Sequence, residues 1–281
     1  MRRNERGGIT ATATRTRHGP RHLPLRSLYI PEVDARYLLE HQGLALALWR
    51  AAEVAALREQ MLEPPILDLG CGDGLVTAVT LRGMNVVVGV DPDGNMLEKA
   101  RQTGAYCRLI AARMEDIDEQ ELPSKSIGTV ISNSVLEHIP QVDVTLAAAA
   151  RVLCPGGRLI FTVPMPAYSR WLVLPFPRYA AWRNRMLTHR NLESVRSWEK
   201  RLARAGFALE AVQPYLRHHL VTLWDALDLA QHIWVGRQVV SLIWRHLPSR
   251  LLDALARRLA ATNLSAYGAS GGRLFVARKA N

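Results

Sequence analysis

Cysteine is scarce in this chain: Cys71, Cys107 and Cys154 stand far apart, with neither the paired spacing of a metal site nor the even framework of a disulfide scaffold. A reducing, cytoplasmic compartment is the expectation that follows. No uninterrupted apolar run reaches the roughly 18 residues of a spanning helix, and the basic first residues lack the apolar core of a secretion signal. The sequence therefore reads as neither exported nor transmembrane. Acids are also short, 25 against 36 lysines and arginines, for a formal net charge of +11. The excess gathers at the start, where residues 1–26 hold seven arginines against Glu5 alone. Rich in Thr, Gly and Arg, residues 1–28 read as a basic, disordered arm. The arm lacks Phe, Tyr and Trp to stack on bases, so a solvated tail is favoured over a nucleic-acid contact.

What is present is enough for a sizeable core. Apolar residues make up 48% of 281, and the chain is longer than the common single-domain size, so one domain with additions is expected over 29–281. Its centre is Ile66-Leu67-Asp68-Leu69-Gly70-Cys71-Gly72-Asp73-Gly74, an apolar strand running into a turn with three glycines at alternate positions. Without Cβ atoms such a turn lets a bulky ligand approach bare backbone, and a helix from Leu75 to Leu81 would aim its first amides at that ligand. A pyrophosphate-binding turn wants its third glycine at position 75, where this chain has Leu75. Asp68 would repel phosphate and attract an ammonium group, so the ligand reads as a nucleoside with an amino-acid tail. A second strand, Asn85 to Val90, ends on Asp91, where a carboxylate can take both ribose hydroxyls.

These residues resemble the class I S-adenosylmethionine-dependent methyltransferases, the Asp-x-Gly-x-Gly-x-Gly group, type 11 in character, from about Pro65 to Pro164. Pro92-Asp93-Gly94-Asn95-Met96 opens what looks like the family's next helix. By the resemblance Met114 caps adenine, and Glu115 or Asp116 reads its amine; Arg113 departs from the acid common there. Strand four ends at Ser132-Asn133-Ser134 before Leu136-Glu137-His138, and Cys154-Pro155-Gly156-Gly157 matches the turn into strand five with Cys154 in place of lysine. The resemblance implies an α/β, Rossmann-like, doubly wound sheet of seven mostly parallel strands, with an antiparallel last strand and a helical insertion before it. It implies S-adenosylmethionine as cofactor, held by Asp68, Gly70, Cys71, Gly72, Gly74, Asp91, Pro92, Met96, Met114, Glu115 and Asn133.

The additions carry the individuality. Residues 33–61 read as two helices divided at Gly43, and in this class such a segment lies over the cleft, which turns Tyr37, His41 and Trp49 toward substrate; for Trp49 a core position is the stronger reading. After strand five, Trp171 to Pro177 adds apolar and aromatic surface with Arg170, Arg178, Arg183, Arg185 and Arg190 interleaved. Asn191 is read as the cap of a helix over Ser194–Ala205, followed by Gly206 and a sixth strand from Phe207 to Val212. A helical insertion over about 217–270 follows, with Leu220, Leu223, Trp224, Leu227 and Trp234 on one face and Thr222, Asp225, Asp228 and Gln231 on the other. It reads as a lid, an oligomer contact, or, through Trp224, Trp234 and Trp244 beside its arginines, a contact with the anionic inner membrane surface. A last strand is expected at Arg273–Arg278.

Methyl transfer from a sulfonium needs alignment and exclusion of water more than a protein nucleophile, and neither a nucleophile elbow nor a metal motif appears. For an oxygen acceptor a base helps; His138 is the first candidate, His189 and Tyr168 the next. The function expected is methylation of oxygen or carbon on a small or lipid-like acceptor. The alternatives are a cofactor-binding scaffold without turnover and a nucleic-acid methyltransferase. The second is opposed by Ser132-Asn133-Ser134-Val135, which lacks the aromatic that would stack on a flipped base.

Overall fold

Alternation along the strands sorts their side chains onto two faces, and each face is covered by helices. In the computed structural model, which describes residues 31–82, 84, 87–232, 234–235, 238–239, 247–261 and 268–280, the strands are β1 (Ile66–Leu69), β2 (Val87–Val90), β3 (Arg108–Ile110), β4 (Ile127–Asn133), β5 (Leu153–Pro164), β6 (Phe207–Pro214) and β7 (Gly272–Lys279). They form one sheet in the order β3-β2-β1-β4-β5-β7-β6. β1 to β5 run parallel, and β7 lies antiparallel between β5 and β6. The expected sheet is therefore present. The basic arm, Asn85, Val86 and Trp244 lie outside the described residues.

Ile66, Ile131, Ile160, Leu274 and Val276 turn to one face, under helices α1 (Pro31–Leu57), α8 (His218–Gln231) and α9 (Ser249–Ala261). Their neighbours Leu67, Val130, Leu159, Phe161 and Phe275 turn to the other, under α4 (Val142–Val152) and α7 (Val195–Arg204). α2 (Leu75–Thr80) and α3 (Gly94–Gln102) complete the first crossovers, while α5 (Pro166–Arg170) and α6 (Pro177–Met186) follow β5. A two-residue hairpin, Trp234–Val235 with Gln238–Val239, follows α8. α1 bends at Gly43, whose φ of 72° divides the run as the sequence suggests. Among the described residues no helix is long and apolar enough to cross a membrane.

Three readings need correction. Asn191 does not cap α7; Ser194 does, accepting from the Ser197 amide, while the Asn191 amide donates to the Leu136 and Ile139 carbonyls at 2.8 and 2.7 Å. The faces of α8 are not those the hydrophobic pattern assigns. Leu223 is exposed and Asp225 wholly buried, because Arg183 of α6 reaches in with Nε 2.7 Å from the Asp225 carboxylate. Trp224 is also buried, against Trp49 and Tyr168 at ring distances of 4.9 and 5.8 Å, so it presents nothing to a membrane.

Candidate active site

The carboxyl ends of β1, β2 and β4 open on a cleft of two lobes that share Gly70 and Val135 in their walls. The larger, about 340 Å³, is mainly apolar and lined by Leu69, Val90, Ala112, Met114, Ile139 and Pro140, with Asp91, Pro92, Arg113, Glu115, His138, Gln141 and Thr145 at its polar edges. The smaller, about 190 Å³, is lined by Gln42, Arg50, Asp68, Cys71, Gly72, Asp73, Val76, Thr77, Asn133 and Ser134.

The glycine turn separates the lobes, and its glycines serve different purposes. A Cβ on Gly72, at φ +53°, would meet nothing within 4 Å, so that position faces open cleft. On Gly70 it would strike the Val135 side chain at 2.4 Å, and on Gly74 the Tyr106 ring at 2.7 Å. Gly72 keeps space for a ligand, whereas Gly70 and Gly74 keep space for the protein's own packing, and Gly74 lines neither lobe. The Gly72 amide donates to Asp91 Oδ2 and the Asp93 amide to Asp91 Oδ1, both at 2.9 Å. Each oxygen retains acceptor capacity toward the cleft. Asp68 is buried beneath the turn and accepts from Thr77 Oγ1 and, at 2.7 Å, from Tyr106 Oη. Burial raises its carboxyl to about 6 against those two hydrogen bonds, which favour the ionised form. Met114 is buried against the apolar lobe; of the two candidate readers, Glu115 lines the lobe and Asp116 does not. Glu115 also accepts from Thr145 Oγ1 at 2.9 Å. Cys71 and Asn133 line the smaller lobe, while Met96 is half-buried on α3 and lines neither.

Sequence reasoning missed the group that closes the floor. Glu53 of α1 is fully buried and accepts from Trp49 Nε1 at 2.8 Å, Arg50 Nη1 at 2.7 Å, Asn133 Nδ2 at 2.7 Å and Ser134 Oγ. One carboxylate thus ties the helix upstream of β1 to the end of β4. The available signal was local: a carboxylate inside the apolar run Leu44–Leu57 needs partners. Tyr37 and His41 do not reach the cleft; they stack on each other at 4.3 Å, and Gln42 and Arg50 line it instead. Trp49 is core.

The three candidate bases fare differently. His138 lines the apolar lobe, its Nδ1 3.3 Å from the Thr188 carbonyl and its Nε2 3.7 Å from Glu137 Oε1. Burial lowers its pKa below the ordinary histidine value, which leaves the imidazole neutral near neutral pH. His189 stands behind it at a ring distance of 5.4 Å, driven down to about 4 by burial and by the neighbouring His138. It lines neither lobe. Tyr168 is wholly buried under Trp49 and Trp224, its hydroxyl has no partner, and burial raises its pKa. A phenol sealed in the core cannot accept a substrate proton, so that candidate is withdrawn. Glu137, His138 and His189 bring ligand-capable atoms within 4.8 Å of one another, a cluster that spacing alone did not disclose. Burial, with the Glu53 carboxylate nearby, raises Glu137 to about 8, so it is an acid rather than a carboxylate at neutral pH.

The two lobes fit an adenosyl amino acid. The apolar lobe suits a purine and Asp91 a ribose diol. At the polar end, the buried atoms Gln42 Oε1 and Arg50 Nε have no hydrogen-bond partner, an acceptor for an ammonium and a donor for a carboxylate. A seven-stranded sheet in this order, with such a cleft at a β1 glycine turn, defines an α/β protein of Rossmann-like, methyltransferase fold. The chain belongs to the class I S-adenosylmethionine-dependent methyltransferases, and S-adenosylmethionine is the cofactor of that family. The model of the methyltransferase domain matches residues 67–161. The demethylmenaquinone methyltransferase of Tropheryma whipplei is 30% identical over 172 residues, which cover 58% of this chain and 71% of that protein. An uncharacterized methyltransferase of Mycobacterium tuberculosis is 38% identical over 111 residues, 38% of this chain and 55% of that one. The chain thus spans about half the length of the curated relatives that head the matches. Among solved structures, a possible histamine N-methyltransferase of Thermotoga maritima shares the fold, with a TM-score of 0.56 at 16% identity over 87% of this chain and 99% of that one.

Proposed function

We propose that the protein methylates an oxygen or carbon atom of a small, largely apolar, lipid-like acceptor. The observation that carries this reading is the His138 imidazole in the wall of a cleft whose polar end holds unpartnered groups matched to an amino-acid tail. The relative named for demethylmenaquinone supports an acceptor of apolar character. Cys71, Cys107 and Cys154 form no disulfide with one another, which supports a reducing compartment, and we propose a cytoplasmic location.

When bound, the cofactor supplies a methyl group already activated by the charge on its sulfur. The chain then has to bind, orient and dry the site. Asp91 would hold the sugar, Met114 and Ile139 would enclose the base, and Gln42 and Arg50 would hold the amino-acid end. Through Asn133 and Ser134, Glu53 fixes the end of β4, which lines the smaller lobe. His138 Nε2 takes the acceptor's proton, a contribution of about 10²–10⁴ in rate for a positioned base.

The test is label transfer from methyl-labelled cofactor into a membrane lipid extract, run beside RNA and DNA. Label in the organic phase is the expected result. Label in nucleic acid would overturn the acceptor class, and tight cofactor binding without turnover on any acceptor would establish a scaffold.

A further inference from the structure

Helix α6 turns one of its three arginines into the protein and leaves large apolar side chains outside. Arg183 is 1% exposed, held through Nε by Asp225 and through Nη2 by Asp228, each at 2.7 Å, with its guanidinium 5.1 Å from the Trp224 ring. Tyr179, one turn earlier on that side, donates its hydroxyl to Asp225 at 2.8 Å, and the Val173 amide reaches the same oxygen at 2.9 Å. The opposite side repeats every three to four residues as Arg178, Trp182, Arg185 and Met186. Trp182 is 39% and Met186 51% exposed, and just before the helix Leu174 and Phe176 are 45% and 62% exposed. A helix rotated the other way would bury that tryptophan and methionine and put the arginine in water. Four contacts to Asp225 and Asp228, two from Arg183 and one each from Tyr179 and the Val173 amide, prevent it, so the apolar face stays in solvent unless something else covers it.

The charge around that face decides what covers it. Residues 144–192 contain seven arginines and no aspartate or glutamate. Arg170, Arg178, Arg185 and Arg190 are all exposed, and among the described residues none of them forms an ion pair. A second copy docked through the same face would set arginine against arginine. A nucleic acid would satisfy the arginines but find no use for Leu174, Phe176 and Met186. An anionic bilayer satisfies both sets, phosphates for the guanidinium groups and acyl chains for the ring and thioether. We infer that the outer side of α6, with the Leu174–Phe176 stretch, is a docking surface for anionic lipid. The helix ends beside the cleft: the Thr188 carbonyl, two residues past α6, is 3.3 Å from His138 Nδ1. Docking there brings the cleft mouth to the bilayer, which deepens the proposed function and rests on it only for the acceptor's route.

The test is flotation of the full chain with vesicles of phosphatidylcholine alone and of phosphatidylcholine mixed with phosphatidylglycerol, at low and high salt. Salt-sensitive flotation with the anionic vesicles is expected. The double variant R178Q/R185Q should weaken it about 30-fold, at the usual contribution of a basic residue near a charged surface, and F176A/W182A on the order of tenfold. The arginines of residues 1–26 also attract anionic lipid, and both variants keep them. Equal flotation of wild type and both variants would therefore assign the binding to that segment and overturn the inference, as would no flotation at all. Self-association lost in F176A/W182A, without vesicle uptake, would overturn it in favour of a second copy. R178Q/R185Q removes two exposed side chains without partners and serves if F176A/W182A fails to fold. Cofactor affinity of each variant, measured by calorimetry, reads the cleft separately, so a docking failure leaves the proposed function standing.

Discussion

Alanine placed at Gly72 and, separately, at Gly74 distinguishes a turn shaped for a ligand from one shaped for the protein. Both glycines have positive φ, +53° and +72°, so each alanine incurs the left-handed penalty of about 1–2 kcal/mol. At Gly72 nothing further is met within 4 Å. With a shift of about 2–4 °C per kcal/mol in a protein of this size, Gly72→Ala should lower the melting temperature by about 2–8 °C. At Gly74 the new methyl meets Tyr106 at 2.7 Å and Ala100 at 3.1 Å, which adds an overpacking cost of about 1–3 kcal/mol. Gly74→Ala should therefore be the less stable of the two. Cofactor binding should run the other way, with Gly72→Ala losing most of it while still folded. Scanning fluorimetry without ligand and calorimetric titration with S-adenosylmethionine measure the two effects. If folded Gly72→Ala bound the cofactor like wild type, the opening beside that residue would not be the ligand's, and the placement of the cofactor on this turn would fail.

Asp91→Ala should weaken cofactor binding by about 1.5–3 kcal/mol, the worth of hydrogen bonds to a charged group; unchanged affinity by calorimetry would remove Asp91 from the site. His138→Gln should lower turnover by about 10²–10⁴ with little change in cofactor affinity. The wild-type rate should hold as pH drops past the ordinary histidine value and fall only below it, since burial depresses His138, and it should survive EDTA; inactivation by the chelator would instead assign Glu137, His138 and His189 to a cation. Glu137→Gln should change the pH dependence of stability. The native state keeps that proton to about 8 whereas the ordinary value is 4.5, so the stability it contributes is complete below 4.5 and is lost as pH rises through about 8. The variant lacks this loss, and melting temperatures at about pH 5 and about pH 9 should show wild type falling relative to it.

Local chemistry made the turn from Gly70 to Gly74, the acid at Asp91 and the strands around them readable, because each residue type there answers to the backbone beside it. The seven-strand order followed from resemblance, not from spacing. What escaped depends on elements meeting across the fold. Glu53 lies 80 residues from Asn133, and nothing in either segment announces the 2.7 Å contact between them. The α8 pattern placed Asp225 in solvent because periodicity weighs polarity alone, and Arg183 lay 42 positions upstream. Tyr168 was legible as chemistry but not as position: only the packing of Trp49 and Trp224 shows that its hydroxyl is sealed in.

The position of β7 also orders assembly. It pairs with β5 along Arg158–Pro164 and with β6 along Phe207–Pro214, so β6 touches the rest of the sheet only through a strand synthesised some sixty residues after it. While the ribosome is still making α8 and α9, the nascent chain has an open edge at β5 and a stranded β6. Sheet closure must wait for Gly272 to Lys279, which makes this stretch a late, zipper-like step and the interval before it the time when the polypeptide is most exposed to misassociation.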